Sequence, residues 1–179
     1  MVKKSFADMH CSLAQALNVI GEWWSMLIVR DFFLGNGTRR FEQLRDSLGI
    51  SRNILTERLK TLTDAGVIER VPLQEGGKRC AYQLTEKGRD LMPIMIAMLQ
   101  WGDKWQQLPG QRFLNVRDRK REEEIAPLTV QSSHGEPLMM NDLYLTAITA
   151  AGEMPIRQWP LESGSAPADA PADNLEQAS

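Results

Sequence analysis

Two cysteines in 179 residues, Cys11 and Cys80, are too few and too far apart for a disulfide framework, and they fit a reducing cytoplasm. Histidine is as scarce. His10 and His134 stand near opposite ends, and no Cys/His pair has the spacing of metal ligands. No run approaches the roughly 18 apolar residues of a membrane span, so no membrane partner is expected. The opening MVKKSFADMHC has lysines but no apolar core and does not read as a secretory signal. The chain also lacks G-x-x-x-x-G-K-[ST], a G-x-G-x-x-G after a strand, and G-x-S-x-G, which removes the phosphate-cradling loops and the nucleophile elbow. Glu122–Glu124 read as a solvated charge run rather than a catalytic pair. With so little of an active-site inventory present, no catalytic residue, metal or cofactor is expected.

The length suits one real core and a small addition, and 42% hydrophobic with 25% charged residues is ordinary for a globular chain. The net charge of −2 hides an uneven distribution. Residues 39–89 carry 11 Lys+Arg against 7 Asp+Glu, whereas residues 108–179 carry 6 against 11. The acidic character therefore belongs to the C-terminal part, and a mildly basic segment lies in the middle.

Apolar spacing divides the chain into elements. Leu13, Leu17 and Ile20 predict a first helix that ends at Gly21. Trp23 to Leu34 is apolar almost all round and predicts a buried helix stopped by Gly35-Asn36-Gly37. Phe41, Leu44 and Leu48 predict a short third helix from near Thr38 to Gly49. Leu55, Leu59 and Leu62 predict a fourth, with Ser51 as its N-cap and Gly66 as its stop. Val67 to Leu73 and Lys78 to Leu84 read as a hairpin, the second strand alternating Cys80, Tyr82 and Leu84. Pro72 places the first strand at an edge or makes it short. Thr85 is a cap for a long final helix, with Pro93 kinking it or limiting its first turn. Its apolar residues Leu91, Ile94, Met98, Trp101, Trp105 and Leu108 step by 3 and 4, a heptad seam. That seam either packs on its own domain or meets a copy of itself. Beyond it, 113–116, 127–130 and 143–148 are short strand-like runs. Residues 1–10 read as an N-terminal arm, 11–108 as the main domain, 109–158 as a small β-ribbon appendage, and 159–179 as a disordered tail rich in Ala, Pro and Asp.

The middle of this α+β chain has the order of a helix-turn-helix followed by a hairpin. On a helical wheel Arg52, Asn53, Thr56, Glu57, Lys60 and Thr63 oppose the leucine stripe. These residue types donate to or accept from base edges in a major groove. Ser51, Arg52 and Asn53 sit at the end that normally enters the groove. Ser51 and the free amides beside it can also grip a phosphate. Arg39 and Arg40 begin the preceding helix, and Lys78 and Arg79 lie near the hairpin tip, where cations follow the DNA backbone. Arg58 falls on the apolar flank and reads as a structural ion-pair partner.

Three collinear stretches, CSLAQALNVIGEWWSMLIVRDFFLG, TRRFEQLRDSLGISRNILTERLKTLTDAGVIERV and YQLTEKGRDLMPIMIAMLQWG, resemble the HxlR family of bacterial transcription regulators, winged-helix relatives of the MarR type. The resemblance covers about ninety residues. It implies a winged helix-turn-helix domain, a homodimer joined by the first helix (Leu13, Leu17) and the long last helix, and two recognition helices reading a pseudo-palindromic operator in double-stranded DNA. It implies a repressor, or less often an activator, acting in the cytoplasm at the nucleoid. Ser12 stands where the family often has proline. Some longer members end in a piece like a zinc ribbon with cysteine pairs. Here the comparable turns, 118–121 and 132–135, have none, so the likeness implies a metal-free ribbon. Cys11 occupies the place of the reactive thiol in redox- or electrophile-sensing members, although a lone cysteine in such a helix also reads as a small buried hydrophobe. The alternative trigger is a small apolar effector near Trp23, Trp24 and Met95, residues that plain core packing also explains. A rival of another class is an interaction module that uses the same fold to bind a protein.

Overall fold

In the computed structural model the described residues are 6, 8–35, 37–74, 79–106, 114–149 and 152–155. Among them, Phe6 and Cys11–Leu128 form one compact unit. Asp8–His10, with the described residues from Thr129 onward, form the other.

The first unit opens with α1 (Ser12–Ile20), for which Cys11 is the extended N-cap residue. Helix α2 (Trp23–Phe33) starts at Glu22, whose carboxylate accepts from the Trp24 amide at 3.0 Å. Of its buried residues, Ser25, Ile28, Val29 and Phe32 recur at i, i+3, i+4 and i+7, one face of a helix, and Asp31 is buried beside that face. The helix is thus less completely enclosed than its composition predicts. Trp23 is 76% exposed and Leu34 beyond its end 55%, while Trp24 and Phe33 flank the buried stripe and pack on the core only in part.

Thr38–Arg39 is a short strand, β1, rather than the start of the third helix. Its residues pair antiparallel with Gln83 and Tyr82. Helix α3 (Phe41–Leu48) begins after Arg40, whose extended backbone amide donates to Gln43 Oε1 at 2.8 Å. Helix α4 spans Arg52–Asp64. Strands β2 (Ile68–Pro72) and β3 (Cys80–Leu84) complete a three-stranded antiparallel sheet in the order β1-β3-β2. β2 is therefore an edge strand, as Pro72 requires. The fully enclosed residue of β3 is Ala81, while Cys80 and Tyr82, expected to face inward with Leu84, are half-exposed. The tip residues 75–78, and with them Lys78, lie outside the described residues.

The expected single final helix is two. Thr85 does cap, its hydroxyl accepting from the Gly88 amide at 3.2 Å, but α5 ends after four residues (Glu86–Arg89). The chain turns at Asp90 and Leu91, and α6 runs Met92–Trp105 with Pro93 in its first turn. A proline there needs no amide partner, whereas inside one continuous helix it would break a hydrogen bond and clash with the preceding turn. Leu91 consequently lies ahead of α6 and packs on the unit's own core, and Leu108 is outside the described residues.

The core joins Ile28, Val29 and Phe32 of α2, Leu44 of α3, Leu55, Leu59 and Leu62 of α4, and Val67, Ile68 and Leu84 around the sheet. Each such side chain contributes about 1.5–3 kcal/mol by leaving water. Three helices and the sheet thus meet on one apolar centre, and the outward faces of α4 and of the sheet are presented together.

The appendage differs from the three expected strands. Residues 117 and 124 meet in a single antiparallel bridge within the first unit, and 131 and 137 in another within the second. The turns between them are closed by side chains. Asp118 Oδ1 accepts from the Lys120 amide at 2.8 Å, and Ser132 Oγ from the His134 amide at 3.2 Å. Such local bonds compete with a ladder. Within the appendage, the one paired ribbon among the described residues is β4 (Thr146–Thr149) with β5 (Gly152–Pro155), in the second unit.

Candidate nucleic-acid interface

Helix α3 stops at Gly49, which takes a left-handed φ of 62° that a side chain would strain. Ile50 turns inward and is buried. Ser51 then starts α4, its hydroxyl accepting from the Ile54 amide at 3.4 Å. The link between the helices is thus three residues, 49–51, pinned by one buried side chain, as a helix-turn-helix requires. The three leucines of α4 are buried behind it.

The opposite face is in water. Ser51, Arg52, Asn53, Thr56, Glu57 and Lys60 are all exposed, so the structure brings the six expected reading residues together on one surface. Several are held. Arg52 Nη2 lies 3.3 Å from Glu42 Oε1 on α3, and its guanidinium stands 5.2 Å from the centre of the Phe41 ring. The Thr56 hydroxyl donates to the Arg52 carbonyl at 2.8 Å, which leaves its oxygen free to accept. Lys60 pairs with Asp64 one turn on. Glu57 pairs with Arg58. Arg58 itself is buried, with its Nε 3.9 Å from Glu22 Oε2 at the start of α2. It therefore ties the back of α4 to α2, in agreement with its place on the apolar flank.

The flanking cations divide. Arg39 is half-buried, and its Nε donates to the Asp31 carbonyl at 3.0 Å, which anchors β1 to the end of α2. Arg40 and Arg79 are exposed, the first ahead of α3 and the second just before β3. Arg70 on β2 was not foreseen as a wing cation. It is exposed beside Tyr82 and 2.9 Å from the Cys80 sulfur, and the bond to that sulfur, followed by its charge, holds the guanidinium above its ordinary pKa. Its signal was the adjacent polar pair Glu69-Arg70 between Ile68 and Val71. The Tyr82 phenol is itself pushed up, by burial first.

Away from α4, the exposed apolar residues of the first unit include Leu13 and Leu17 on α1 and Ile94, Met98, Trp101 and Trp105 on α6. Trp101 is 58% and Trp105 62% exposed, so more than half of each tryptophan is left uncovered. Cys11 is half-exposed at the start of α1 with a free thiol. Of the residues expected around an effector, Met95 lines a cavity between α2 and α6. Trp24 packs on the core instead, and Trp23 faces solvent. Among the described residues, no group of three His, Cys, Asp or Glu is placed to hold a metal, and no helix is long and apolar enough to cross a membrane.

A winged three-stranded sheet beside a helix-turn-helix, with the polar face of the second helix uncovered, is a DNA-binding arrangement. The family model of the HxlR-like helix-turn-helix matches residues 19–109. The chain belongs to the HxlR family. It is a transcriptional regulator with a helix-turn-helix domain, like its HxlR relatives. An HTH-type transcriptional regulator of Mycobacterium tuberculosis is 37% identical over 127 residues, covering 71% of this chain and 79% of its own. The HTH-type transcriptional regulator YodB of Bacillus subtilis is 33% identical over 94 residues, or 52% of this chain and 82% of its own. Among solved structures, PA1607, described as a candidate transcription factor, is 40% identical, with a TM-score of 0.70 over 76% of this chain and 94% of that one. The mycobacterial and PA1607 matches span more of the chain than the helix-turn-helix region, so the likeness continues past α6.

Proposed function

We propose that this protein is a homodimeric, sequence-specific repressor or activator that binds a pseudo-palindromic operator with one α4 in each half-site. The observation that carries the reading is the exposed row Arg52, Asn53, Thr56, Glu57 and Lys60, seated by buried leucines beside an edge-stranded wing. Arg52, Asn53 and Thr56 read bases. Ser51, Arg40, Lys78 and Arg79 grip phosphates, with Arg39 bracing the wing. Leu13 and Leu17 of α1 and the apolar face of α6 form the two-fold contact, which explains why two tryptophans stand more than half exposed on one chain. Residues 11–108 act as the regulator domain, with the arm before it and the ribbon and tail after it.

The trigger is either a small molecule near α2 and α6 or oxidation of Cys11. If the thiol is the trigger, mild oxidant releases the operator from the wild type and not from Cys11→Ser. Gel retardation with duplex fragments from the gene's own promoter neighbourhood tests the main reading. Retardation at low salt that weakens steeply as salt rises is expected. Retention of no fragment would leave the protein-interaction module as the better account.

A further inference from the structure

Gly102 lies inside the last turns of α6, where glycine weakens a helix through its backbone freedom. The fold itself does not require it there. A Cβ built at this position meets no atom within 4 Å. The open space belongs to a cavity of about 270 Å3, walled by Met26 and Leu27 of α2 and Met95 and Leu99 of α6. Arg30 and Asp103 also line it.

This cavity is not the α6 seam. At roughly 100° per residue, Ile94, Met98, Trp101 and Trp105 fall within a narrow arc, and Met95, Leu99 and Gly102 centre about a quarter-turn away. Met98 borders both. A second copy seated on the seam leaves the cavity to another occupant.

We propose that the α2–α6 cavity binds a hydroxylated aromatic molecule of one or two rings, and that its occupancy weakens DNA binding by α4. The second half rests on the regulator reading above. The volume lies below the roughly 300–1,000 Å3 of pockets for larger ligands, which limits the guest to one or two rings. Methionine and leucine walls shape themselves to flat rings. The two charged lining groups are complementary in function. A guanidinium only donates, and an ionised carboxylate only accepts and keeps acceptor sites even when already bonded. Arg30 gives Nε and Nη2 to Asp31 Oδ1, at 3.1 and 2.7 Å, and retains Nη1. One hydroxyl can accept from Arg30 and donate to Asp103. A hydrocarbon satisfies neither, and a carboxylate on the guest opposes Asp103.

Helix α2 connects the cavity to the reader. Met26, Leu27 and Arg30 face the cavity, while Ile28, Val29 and Phe32 on the same helix share the core with the α4 leucines. The first residue before α2, Glu22, lies beside Arg58 of α4, and the Asp31 carbonyl holds Arg39 of the wing sheet. A guest that displaces α2 shifts the seat of both.

The test titrates 2-naphthol into the full chain, following naphthol fluorescence and tryptophan quenching. Saturable binding of one molecule per chain is expected, at least tenfold tighter than naphthalene or 2-naphthoate. Gly102→Leu fills the space and abolishes saturation, and Met26→Phe does the same from the other wall. Asp103→Leu erases the preference for naphthol over naphthalene. Equal binding of the three probes, or saturation that survives both fillers, overturns the site. In a second arm, saturating naphthol releases a promoter fragment from the wild type and not from a filler variant that still binds it. Naphthol binding with unchanged DNA affinity overturns the coupling and leaves the site standing. If the wild type retards no fragment without naphthol, the regulator reading has failed, and the fluorescence arm still decides the cavity.

Discussion

Replacing Arg52 by alanine separates two roles that the geometry gives this side chain. As a base reader, a bidentate arginine discriminates its base pair by about 1–3 kcal/mol. To reach DNA it must leave Glu42, from which it lies 3.3 Å away with both side chains more than half exposed. Such an exposed pair contributes about 0–1 kcal/mol, so most of the binding energy at the base survives the exchange. The net loss for Arg52→Ala is therefore about 1–2 kcal/mol per half-site, or roughly 5- to 30-fold, and about the square of that factor for two well-separated half-sites. Glu42→Ala removes the competing partner and leaves the reader, so operator affinity should hold or rise by a few-fold. Fluorescence anisotropy with an operator and with single-base-pair variants measures both. Arg52→Ala should flatten discrimination at one position per half-site and leave the others intact. If Arg52→Ala and Glu42→Ala lose affinity together, uniformly over all duplexes and in proportion to a drop in melting temperature, Arg52 is a brace between α3 and α4. The assignment of sequence reading to it would then be wrong.

Arg79→Ala should weaken all duplexes alike and lower the slope of log K against log salt by about 0.9 for each phosphate that is no longer neutralised; an unchanged slope removes Arg79 from the DNA backbone. For the two-fold contact, a Trp101→Glu/Trp105→Glu double variant should scatter light as a monomer while keeping its circular dichroism, and a dimer mass would move the interface off α6. Leu59→Ala, at the centre of the α4 seat, should cost about 2–5 kcal/mol in chemical denaturation, and a smaller loss would mean the core is looser than its burial indicates. Because burial raises the Tyr82 pKa, the folded state holds the phenolic proton more tightly than the unfolded state. That contribution is fully present below the unfolded value near 10 and fades as pH climbs through the folded value. Tyr82→Phe should remove part of the alkaline loss of stability, and an identical alkaline profile would refute the shift.

Much of the reader is written in local pattern. The period of Leu55, Leu59 and Leu62, the Ser51 cap and the Gly49 stop specify α4, its start and its outward face, because each acts within a few residues. Pro72 specifies an edge strand for the same reason: one missing amide decides it. The family resemblance lies in these same stretches. What local pattern does not carry is pairing at a distance. Thr38 and Arg39 are too short a run to announce a strand, and they become one only because β3 offers a partner more than forty residues away. That pairing bends Arg39 onto the Asp31 carbonyl and makes a brace of a side chain that looks from the sequence like a phosphate contact. Arg52 and Glu42 meet because a three-residue turn folds α3 back on α4. The division of the last helix at Asp90 and Leu91 reflects a choice between continuing past Pro93 and packing Leu91 on the core, and packing prevailed. The cavity over Gly102 has no linear signature at all, since it arises from the angle between two helices seventy residues apart. Periodicity settles which face of an element is apolar; which apolar faces find each other, and where they leave a gap, depends on the whole core closing at once.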